Sequence, residues 1–122
     1  MKQQEAKDVY ETVGKTWSMA ELMETGEQVY VQHCSTCHQV NGQGIPPAFP
    51  SLVGQGLAVG DLDGHVDIVV NGKAGSAMQA FAAQLNPAEI AAVVTYERNA
   101  WGNDVGDLVQ PREVNALIVA KE

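Results

Sequence analysis

The sequence predicts an all-α domain of three to four helices that are separated by long loops. Two segments begin with a capping box and continue with apolar residues at helical spacing, which is typical of helices. Stretches rich in glycine and proline lie between the helical segments, and no segment has a convincing strand pattern. The chain of 122 residues is long enough for one domain with a modest core.

The first predicted helix follows Ser18, which fits a capping box with Glu21 three residues later. Its inward positions recur at helical spacing, at Leu22, Gly26, Val29 and Tyr30. The residues before it are charged and lack a sustained apolar stripe. We therefore expect residues 1–17 to be a linker or an artificial N-terminus.

A long irregular loop is predicted over residues 42–60, which contain three prolines and five glycines. The following segment DGHVDIVVNG predicts a short helix that ends at Gly72 and faces inward through Val66, Val69 and Val70. The next segment, GKAGSAMQAFAAQL, is again predicted to be a loop.

The clearest helix signal starts at Asn86, with Pro87 in the first helical position and Glu89 completing a capping box. Its inward side is predicted to comprise Ile90, Val93, Val94 and Glu97, broadened by Tyr96 and Trp101. The glycine and asparagine at 102 and 103 are expected to stop it. We expect the domain to cover residues 18–103, and residues 104–122 to form an extension. A last short helix is predicted there, through Val114, Leu117 and Ile118.

Seven basic and fifteen acidic residues give a net charge of −8. Such a chain is expected to repel nucleic acid and anionic membranes and to attract a basic partner. No apolar run approaches the roughly 20 residues that cross a bilayer, and the polar start does not fit a secretory signal. Three or four helices and a long irregular loop bury little apolar surface by themselves. The sequence therefore predicts that a further group fills the middle of the domain.

The segment CSTCH, residues 34–38, holds both cysteines of the chain. One helical turn would place Cys34 and Cys37 on the same side, where their thiols can form thioether bonds to the two vinyl groups of one haem. His38 follows directly and would present its imidazole nitrogen to the iron. C-x-x-C-H is the attachment signature of c-type haem, which predicts one covalently bound haem c.

Three other interpretations of the cysteine pair are less well supported. A thioredoxin-like C-x-x-C belongs in a βαβ context, which the sequence lacks. A disulfide across two residues would be strained. A zinc site needs four ligands, and no spacing supports the set that this chain offers: Cys34, Cys37, His38 and either His33 or His65.

Met78 is the candidate for the second axial ligand, because it lies in a predicted loop far along the chain from His38. Met1 is the start, while Met19 and Met23 lie on the helix before the cysteines. A lone methionine usually fills a gap in the core, but C-x-x-C-H makes that the less favoured interpretation. Ligation by histidine and methionine fills both axial positions and raises the reduction potential, which suits electron transfer rather than activation of oxygen or peroxide.

With this motif, the chain resembles a class I cytochrome c domain. The resemblance implies the class I fold, in which helices and long loops surround one covalently attached haem c. It implies that Gly26 and Tyr30 pack against an aromatic residue of the C-terminal helix, for which Tyr96 is the candidate. It also implies that the carbonyl of Pro47 accepts a hydrogen bond from the imidazole of His38.

Four segments carry a closer resemblance: KTWSM, NGQGIPPAFPSL, DIVVNGKAG and TYERNAWGN. They resemble the cytochrome c domain fused to the C-terminus of subunit II in bacterial haem–copper cytochrome c oxidases. Gln79 is a departure, because relatives often have proline after the ligand methionine. The resemblance implies an electron carrier, not itself an enzyme. It would take electrons from a donor cytochrome or a quinol-oxidising complex and pass them to the dinuclear copper centre of the oxidase.

The copper ligands and the membrane anchor of such a subunit are absent from this sequence. We therefore expect a fragment of a membrane-anchored subunit, on the periplasmic side of the bacterial inner membrane, with the copper domain and the other oxidase subunits as partners. The alternative is a free-standing periplasmic electron shuttle. A haem peroxidase or gas sensor, in which Met78 dissociates, is less well supported because peroxidases of this type usually carry a second C-x-x-C-H.

The uncharged segments GIPPAFP and AMQAF are expected to frame the exposed haem edge. They predict a mainly apolar docking patch with weak salt dependence, or else simply a cover for the haem. His33 and His65 are interpreted as surface or packing residues, Lys73 as solvated and Trp101 as core. Three aspartates are interpreted as charges at the start of a helix rather than a calcium site: Asp61, Asp63 and Asp67.

Overall fold

The computed structural model describes residues 15–45, 51–54, 56–73, 78, 80–82 and 84–120. Five α-helices lie in these ranges: α1 (Met19–His33), α2 (Ser35–His38), α3 (Leu62–Asn71), α4 (Pro87–Asn99) and α5 (Pro111–Ala120). A 3-10 turn, Gly56–Ala58, precedes α3. The same ranges contain no β-strand, so the all-α prediction is confirmed.

Both predicted capping boxes form. The Ser18 N–H donates to Glu21 Oε1 at 3.0 Å, and the Glu21 N–H donates to Ser18 Oγ at 3.1 Å. Asn86 and Glu89 exchange the equivalent bonds at 3.0 and 2.9 Å. These bonds fix where α1 and α4 begin, because they satisfy amides that the start of a helix leaves unpaired.

Helix α3 begins at Leu62, and Asp61 caps it by accepting a hydrogen bond from the Gly64 N–H at 2.8 Å. The interpretation of Asp61 as a charge at a helix start is thereby confirmed. Gly72 ends α3 with a φ of 70°, and its N–H donates to the Ile68 carbonyl at 2.8 Å. The positive φ explains why glycine stands there.

Helices α1 and α4 cross at Gly26. A Cβ on this residue would lie 2.1 Å from the Ala92 carbonyl oxygen and 2.6 Å from the Tyr96 Cβ, so only glycine permits this approach. One turn further on, the ring centroid of Tyr30 lies 5.7 Å from that of Tyr96. The packing of Gly26 and Tyr30 against Tyr96, which the resemblance implied, is confirmed.

The last predicted helix is confirmed as α5, and it closes the core. Val109 and Val114 are buried against the cluster that α1, α3 and α4 form. The side chain of Gln110 accepts from the Trp17 N–H and donates to the Trp17 carbonyl, both at 2.9 Å. The two ends of the described chain are thereby joined, while the domain boundary at residue 103 stays a prediction.

The end of α4 differs from the prediction. The helix stops at Asn99, so Trp101 does not broaden its apolar face. Trp101 has a φ of 57°, a left-handed conformation that is rare for residues other than glycine. The reason is tertiary, because this conformation carries the indole to the Val40 carbonyl, to which Nε1 donates at 2.9 Å. None of the helices in the described ranges has both the length and the apolarity to cross a bilayer.

Candidate functional site

Helix α2 is the four-residue turn that carries the C-x-x-C-H motif. Cys34 lies between two helices, ending α1 through its N–H bond to the Tyr30 carbonyl (2.9 Å) and preceding the first residue of α2. The His38 N–H donates to the Cys34 carbonyl at 3.0 Å, and the Cys37 N–H approaches the same oxygen at 3.3 Å. The single helical turn expected for the motif therefore forms.

The thiols of Cys34 and Cys37 are half-buried and are not bonded to each other. Burial raises the pKa of the Cys34 thiol to about 12, and the charge of Glu97 and the proximity of Cys37 add to the shift. A redox-active cysteine reacts as a thiolate, and burial disfavours that form of Cys34. The site therefore gives no support to the thioredoxin-like interpretation.

The histidines outside the motif are engaged elsewhere. His65 is buried, and its Nε2 lies 2.7 Å from Glu97 Oε1. The ring of His33 lies edge-on to Phe81 at a centroid distance of 6.2 Å, which agrees with a packing role. In the part of the chain that the structure describes, no group of three or more His, Cys, Asp or Glu residues is arranged to hold a metal ion.

The chain turns sharply after His38. Gln39 has φ 64° and ψ 160°, a combination that glycine usually occupies. The Gly42 N–H donates to the Gln39 carbonyl at 3.0 Å, and the Gly44 N–H donates to the His38 carbonyl at 2.9 Å. Residues 39–44 thereby fold back on α2.

Two aromatic side chains bind this turn. Tyr30 Oη donates to the Gln39 carbonyl at 2.5 Å, and Trp101 Nε1 donates to the Val40 carbonyl at 2.9 Å. Their ring centroids are 4.8 Å apart. The crossing of α1 and α4 and the turn after the motif therefore form one packed unit.

Met78 is half-buried and packs against the core cluster that Cys34 also contacts. Its carbonyl accepts from the Lys73 N–H at 3.1 Å, just after the end of α3. The Phe81 and Ala82 N–H groups donate to the Val69 and Val70 carbonyls, at 3.0 and 3.2 Å. Backbone hydrogen bonds therefore attach Met78 to Lys73, and attach Phe81 and Ala82 to α3.

These residues fit a covalently attached haem. Two half-buried thiols on one helical turn, the imidazole that follows and a soft thioether against the same core are the groups that would hold it. Leu52 and Ile68 also pack against this core while remaining partly exposed, so apolar surface is left for a large apolar ring to cover.

Some predicted residues lie outside the described residues: Pro47, Gln79 and most of the two proposed docking segments. In the described part of these segments, Ile45 is 45% exposed, whereas Phe81 is buried in the core. Val40, which precedes the first segment, is 65% exposed. Val40 and Ile45 both lie within 28–60, a stretch without any Asp, Glu, Lys or Arg. The turn after the motif therefore presents uncharged surface.

The sequence did not indicate the role of Asn103, which was predicted only to stop a helix. Its side chain donates to the Leu52 and Glu97 carbonyls, at 2.8 and 2.9 Å, and accepts from the Gly54 N–H at 2.7 Å. It therefore ties residues 51–54 to the end of α4. No local sequence pattern indicates these hydrogen bonds, because the partners of Asn103 lie up to 51 positions away in the chain.

Comparison with known proteins places this geometry in context. The family model of cytochrome c oxidase, cbb3-type, subunit III matches residues 21–96. Cytochrome c-552 of Thermus thermophilus is 36% identical over 91 residues, which are 64% of this chain and 69% of that protein. The cbb3-type cytochrome c oxidase subunit CcoP of Azospirillum brasilense is 32% identical over 97 residues, which are 75% of this chain and 32% of that protein.

Among solved structures, dihydro-heme d1 dehydrogenase NirN in complex with DHE matches with a TM-score of 0.56 and 30% identity, over 62% of this chain and 16% of that one. The chain spans most of the cytochrome c-552 that it matches, but about a third of the oxidase subunit and about a sixth of the dehydrogenase. With the larger proteins, the similarity is to one part of a longer chain.

Proposed function

We propose, from the premise that this chain belongs to the cytochrome c family of the cbb3-type oxidase subunit III, that it is the electron-transfer domain of a terminal oxidase. The fold is the all-α fold of class I cytochromes c, and the chain binds haem c covalently, with Cys34 and Cys37 in its C-x-x-C-H motif. Its homologues act as electron carriers. The observation that carries the proposal is the match of residues 21–96 to an oxidase subunit.

The haem supplies an iron that changes charge by one electron, and the chain determines its ligands. We propose that Cys34 and Cys37 form the two thioether bonds and that His38 and Met78 are the axial ligands. The closed turn of helix α2 supports the roles of Cys34, Cys37 and His38. The bond of Met78 to Lys73 and those of Phe81 and Ala82 to α3 support the role of Met78. Two protein ligands on the iron would leave no position for oxygen or peroxide.

The carbonyl of Pro47 is proposed to accept a hydrogen bond from the His38 imidazole. Such a bond would fix the orientation of the ring and raise its basicity as a ligand. The proposal rests on the family resemblance, since Pro47 lies outside the described residues.

The electron acceptor is proposed to be the dinuclear copper centre of a haem–copper oxidase, reached from a donor cytochrome or a quinol-oxidising complex. The similarity to the oxidase subunit CcoP supports an oxidase as the partner. The dinuclear copper centre and subunit II rest only on the sequence resemblance that the segment TYERNAWGN carries. In this proposal the domain lies on the periplasmic side of the inner membrane as part of an anchored subunit.

A free-standing shuttle is the second candidate, and the match to cytochrome c-552 over 69% of that protein's length favours it equally. A protein of this kind would carry the same haem chemistry to a diffusible partner. Immunoblots of membrane and soluble fractions from the native organism, stained also for haem, separate the two candidates. A membrane band far larger than 13.0 kDa supports the oxidase subunit, and a soluble band near that mass supports the shuttle.

The axial ligands are tested with Met78→Leu, and Met23→Leu serves as the matched control because Met23 is a half-buried methionine on α1. Met78→Leu is expected to abolish the sulfur-to-iron charge-transfer band of the ferric protein and to let the reduced protein bind carbon monoxide. Met23→Leu is expected to change neither. Ready carbon monoxide binding by the unaltered protein would instead support the gas-sensor or peroxidase alternative.

The docking surface is proposed to be mainly apolar, which Val40 and Ile45 support through their exposure in an uncharged stretch. Interactions between charges are screened by salt, whereas contact between apolar surfaces is not weakened in this way. We expect the rate of electron transfer to the oxidase partner to change little between low and physiological ionic strength. Strong slowing by salt would contradict an apolar docking patch.

A further inference from the structure

We propose that Tyr30 and Trp101 are positioning residues for His38, because their hydrogen bonds hold the strained turn that follows it. The inference rests on the proposed function, since it takes His38 as an axial ligand of the haem. It adds two residues, from opposite sides of the α1–α4 crossing, to those that determine how the imidazole is presented.

The backbone is strained both in the turn after His38 and at Trp101. Among the described residues, Gln39 and Trp101 are the two non-glycine residues with positive φ, at 64° and 57°. Such conformations persist only where the surrounding structure holds them. Here one hydrogen bond links the two regions, because Trp101 Nε1 donates to the carbonyl of Val40, the residue after Gln39.

Two consecutive carbonyls of the turn are held by aromatic donors. The Gln39 carbonyl accepts from Tyr30 Oη at 2.5 Å, and the Val40 carbonyl accepts from Trp101 Nε1 at 2.9 Å. Tyr30 is fully buried, so water does not compete for its contacts within the core. Burial and the nearby charge of Glu97 raise the pKa of the Tyr30 hydroxyl, which therefore remains a donor at physiological pH.

The indole also fixes the turn by packing. A Cβ at Gly42 would lie 2.5 Å from Cε3 and 2.6 Å from Cζ3 of Trp101, so the ring lies directly on the backbone of Gly42. The Gly42 N–H donates to the Gln39 carbonyl, which also accepts from Tyr30. The packing of the indole on Gly42 and the hydrogen bond from Tyr30 therefore both restrain the position of the Gln39 carbonyl.

The turn is joined to His38 without an intervening residue. The His38 carbonyl accepts from the Gly44 N–H at 2.9 Å, and the next carbonyl is the one that Tyr30 binds. The direction of a side chain follows from the backbone that carries it. Release of the turn would therefore let the imidazole plane take more than one orientation.

The test uses the haem-loaded protein and two conservative substitutions. Tyr30→Phe and Trp101→Phe each remove one donor while keeping an aromatic ring. Thr95→Val is the matched control: it removes the acceptor of the Val109 N–H, a buried bond of 3.2 Å on α4 that does not involve the turn. The measurements are amide hydrogen exchange at Gly42 and Gly44, the thermal midpoint, and electron paramagnetic resonance of the ferric protein.

We expect Tyr30→Phe and Trp101→Phe each to speed exchange at Gly42 and Gly44 by about fivefold, as loss of one hydrogen bond predicts. Their resonance signal is expected to broaden or split, because the imidazole is held less uniformly. Thr95→Val is expected to lower the thermal midpoint while leaving both readouts at their original values. If Trp101→Phe does not fold, Tyr30→Phe decides the question, since it keeps the buried ring.

The inference is overturned if both variants only lower the thermal midpoint, as the control does, with exchange and resonance unchanged. Tyr30 and Trp101 would then be ordinary packing residues, and the proposed function would stand. If the unaltered ferric protein lacks the low-spin signal of a haem with two protein ligands, the proposed function itself fails and this inference fails with it.

Discussion

His65 Nε2 lies 2.7 Å from Glu97 Oε1, and both side chains are almost fully buried. On the other side of the imidazole, Arg98 Nη1 lies 3.4 Å from His65 Nδ1. Because a guanidinium only donates, Nδ1 is assigned as the acceptor and Nε2 as the nitrogen that carries the proton. Arg98 further pairs with Asp107 through Nε (2.7 Å) and Nη2 (3.0 Å), so a polar chain joins α3, α4 and the segment before α5.

Replacement of Glu97 by glutamine tests how much this row of hydrogen-bonded side chains contributes to the stability of the protein. Glu97→Gln keeps the size of the side chain but removes the charge that accepts from His65. We expect the free energy of unfolding to fall by about 1–3 kcal/mol, because a buried hydrogen bond to a charged acceptor is replaced by a weaker one to a neutral amide oxygen. Denaturant unfolding of the haem-loaded protein measures the loss. Glu24→Gln, on the exposed side of α1, is the control and is expected to change the value by less than about 0.5 kcal/mol.

Gly26→Ala tests the close approach of α1 and α4. Helix propensity alone predicts that alanine stabilises this position by about 1 kcal/mol. The structure predicts the opposite sign, because the new Cβ would lie 2.1 Å from the Ala92 carbonyl oxygen. We expect a loss of about 1–3 kcal/mol or more, measured by thermal or denaturant unfolding. A stabilised variant would show that the helices separate easily.

Gln39→Gly tests whether the turn after His38 is strained. Glycine adopts the φ of 64° without the steric cost that glutamine incurs, and Gln39 is exposed, so little packing is lost. We expect Tyr30→Phe to cost more stability when Gln39 is already glycine, by about 0.5–1.5 kcal/mol in a double-mutant cycle. The reason is that a turn with Gln39 releases its strain when it relaxes, which offsets part of the loss, whereas a turn with glycine has no strain to release. Strict additivity of the two substitutions would indicate that Tyr30 does not hold a strained conformation.

Glu21 provides a test of pH dependence. The hydrogen bond from Lys15, followed by that from the Ser18 N–H, lowers the pKa of the Glu21 carboxyl from 4.5 to about 2. A pKa lowered by folding gives stability that is present above the unfolded value and is lost as the pH falls through the folded value. Glu21→Gln is therefore expected to be less stable than the original chain at neutral pH.

The difference between these two proteins should shrink as the pH falls from about 4.5 towards about 2, and added salt should reduce it, because the carboxyl is exposed. Unfolding midpoints of both proteins, measured over this pH range at low and high salt, provide the check. A difference that stays constant with pH would mean that the ion pair with Lys15 contributes nothing to stability.

Much of the helical framework could be predicted from the sequence. Ser18 with Glu21 and Asn86 with Glu89 determine where two helices begin, because a capping box needs only residues three positions apart. The spacing of Cys34, Cys37 and His38 predicts one helical turn for the same reason. Loop 42–60 was predicted without its 3-10 turn, Gly56–Ala58, which carries no strong local signal.

The end of α4 could not be predicted in this way. Trp101 was assigned to the apolar face of the helix, whereas its backbone is left-handed and its indole binds Val40, 61 positions earlier in the chain. His65 was interpreted as an ordinary surface or packing residue, although its imidazole joins a buried polar chain. In both cases the stabilising partner is remote in sequence.

The sequence by itself determined the all-α class, the starts of the helices and the haem-attachment motif, because each depends on chemistry between residues within one or two turns. Only the tertiary structure decided that Gln39 and Trp101 adopt strained conformations, and that Tyr30 and Trp101 bind the turn after His38. The physical reason is that local preference opposes both conformations. The contacts that compensate for them exist only once α1 and α4 have crossed at Gly26.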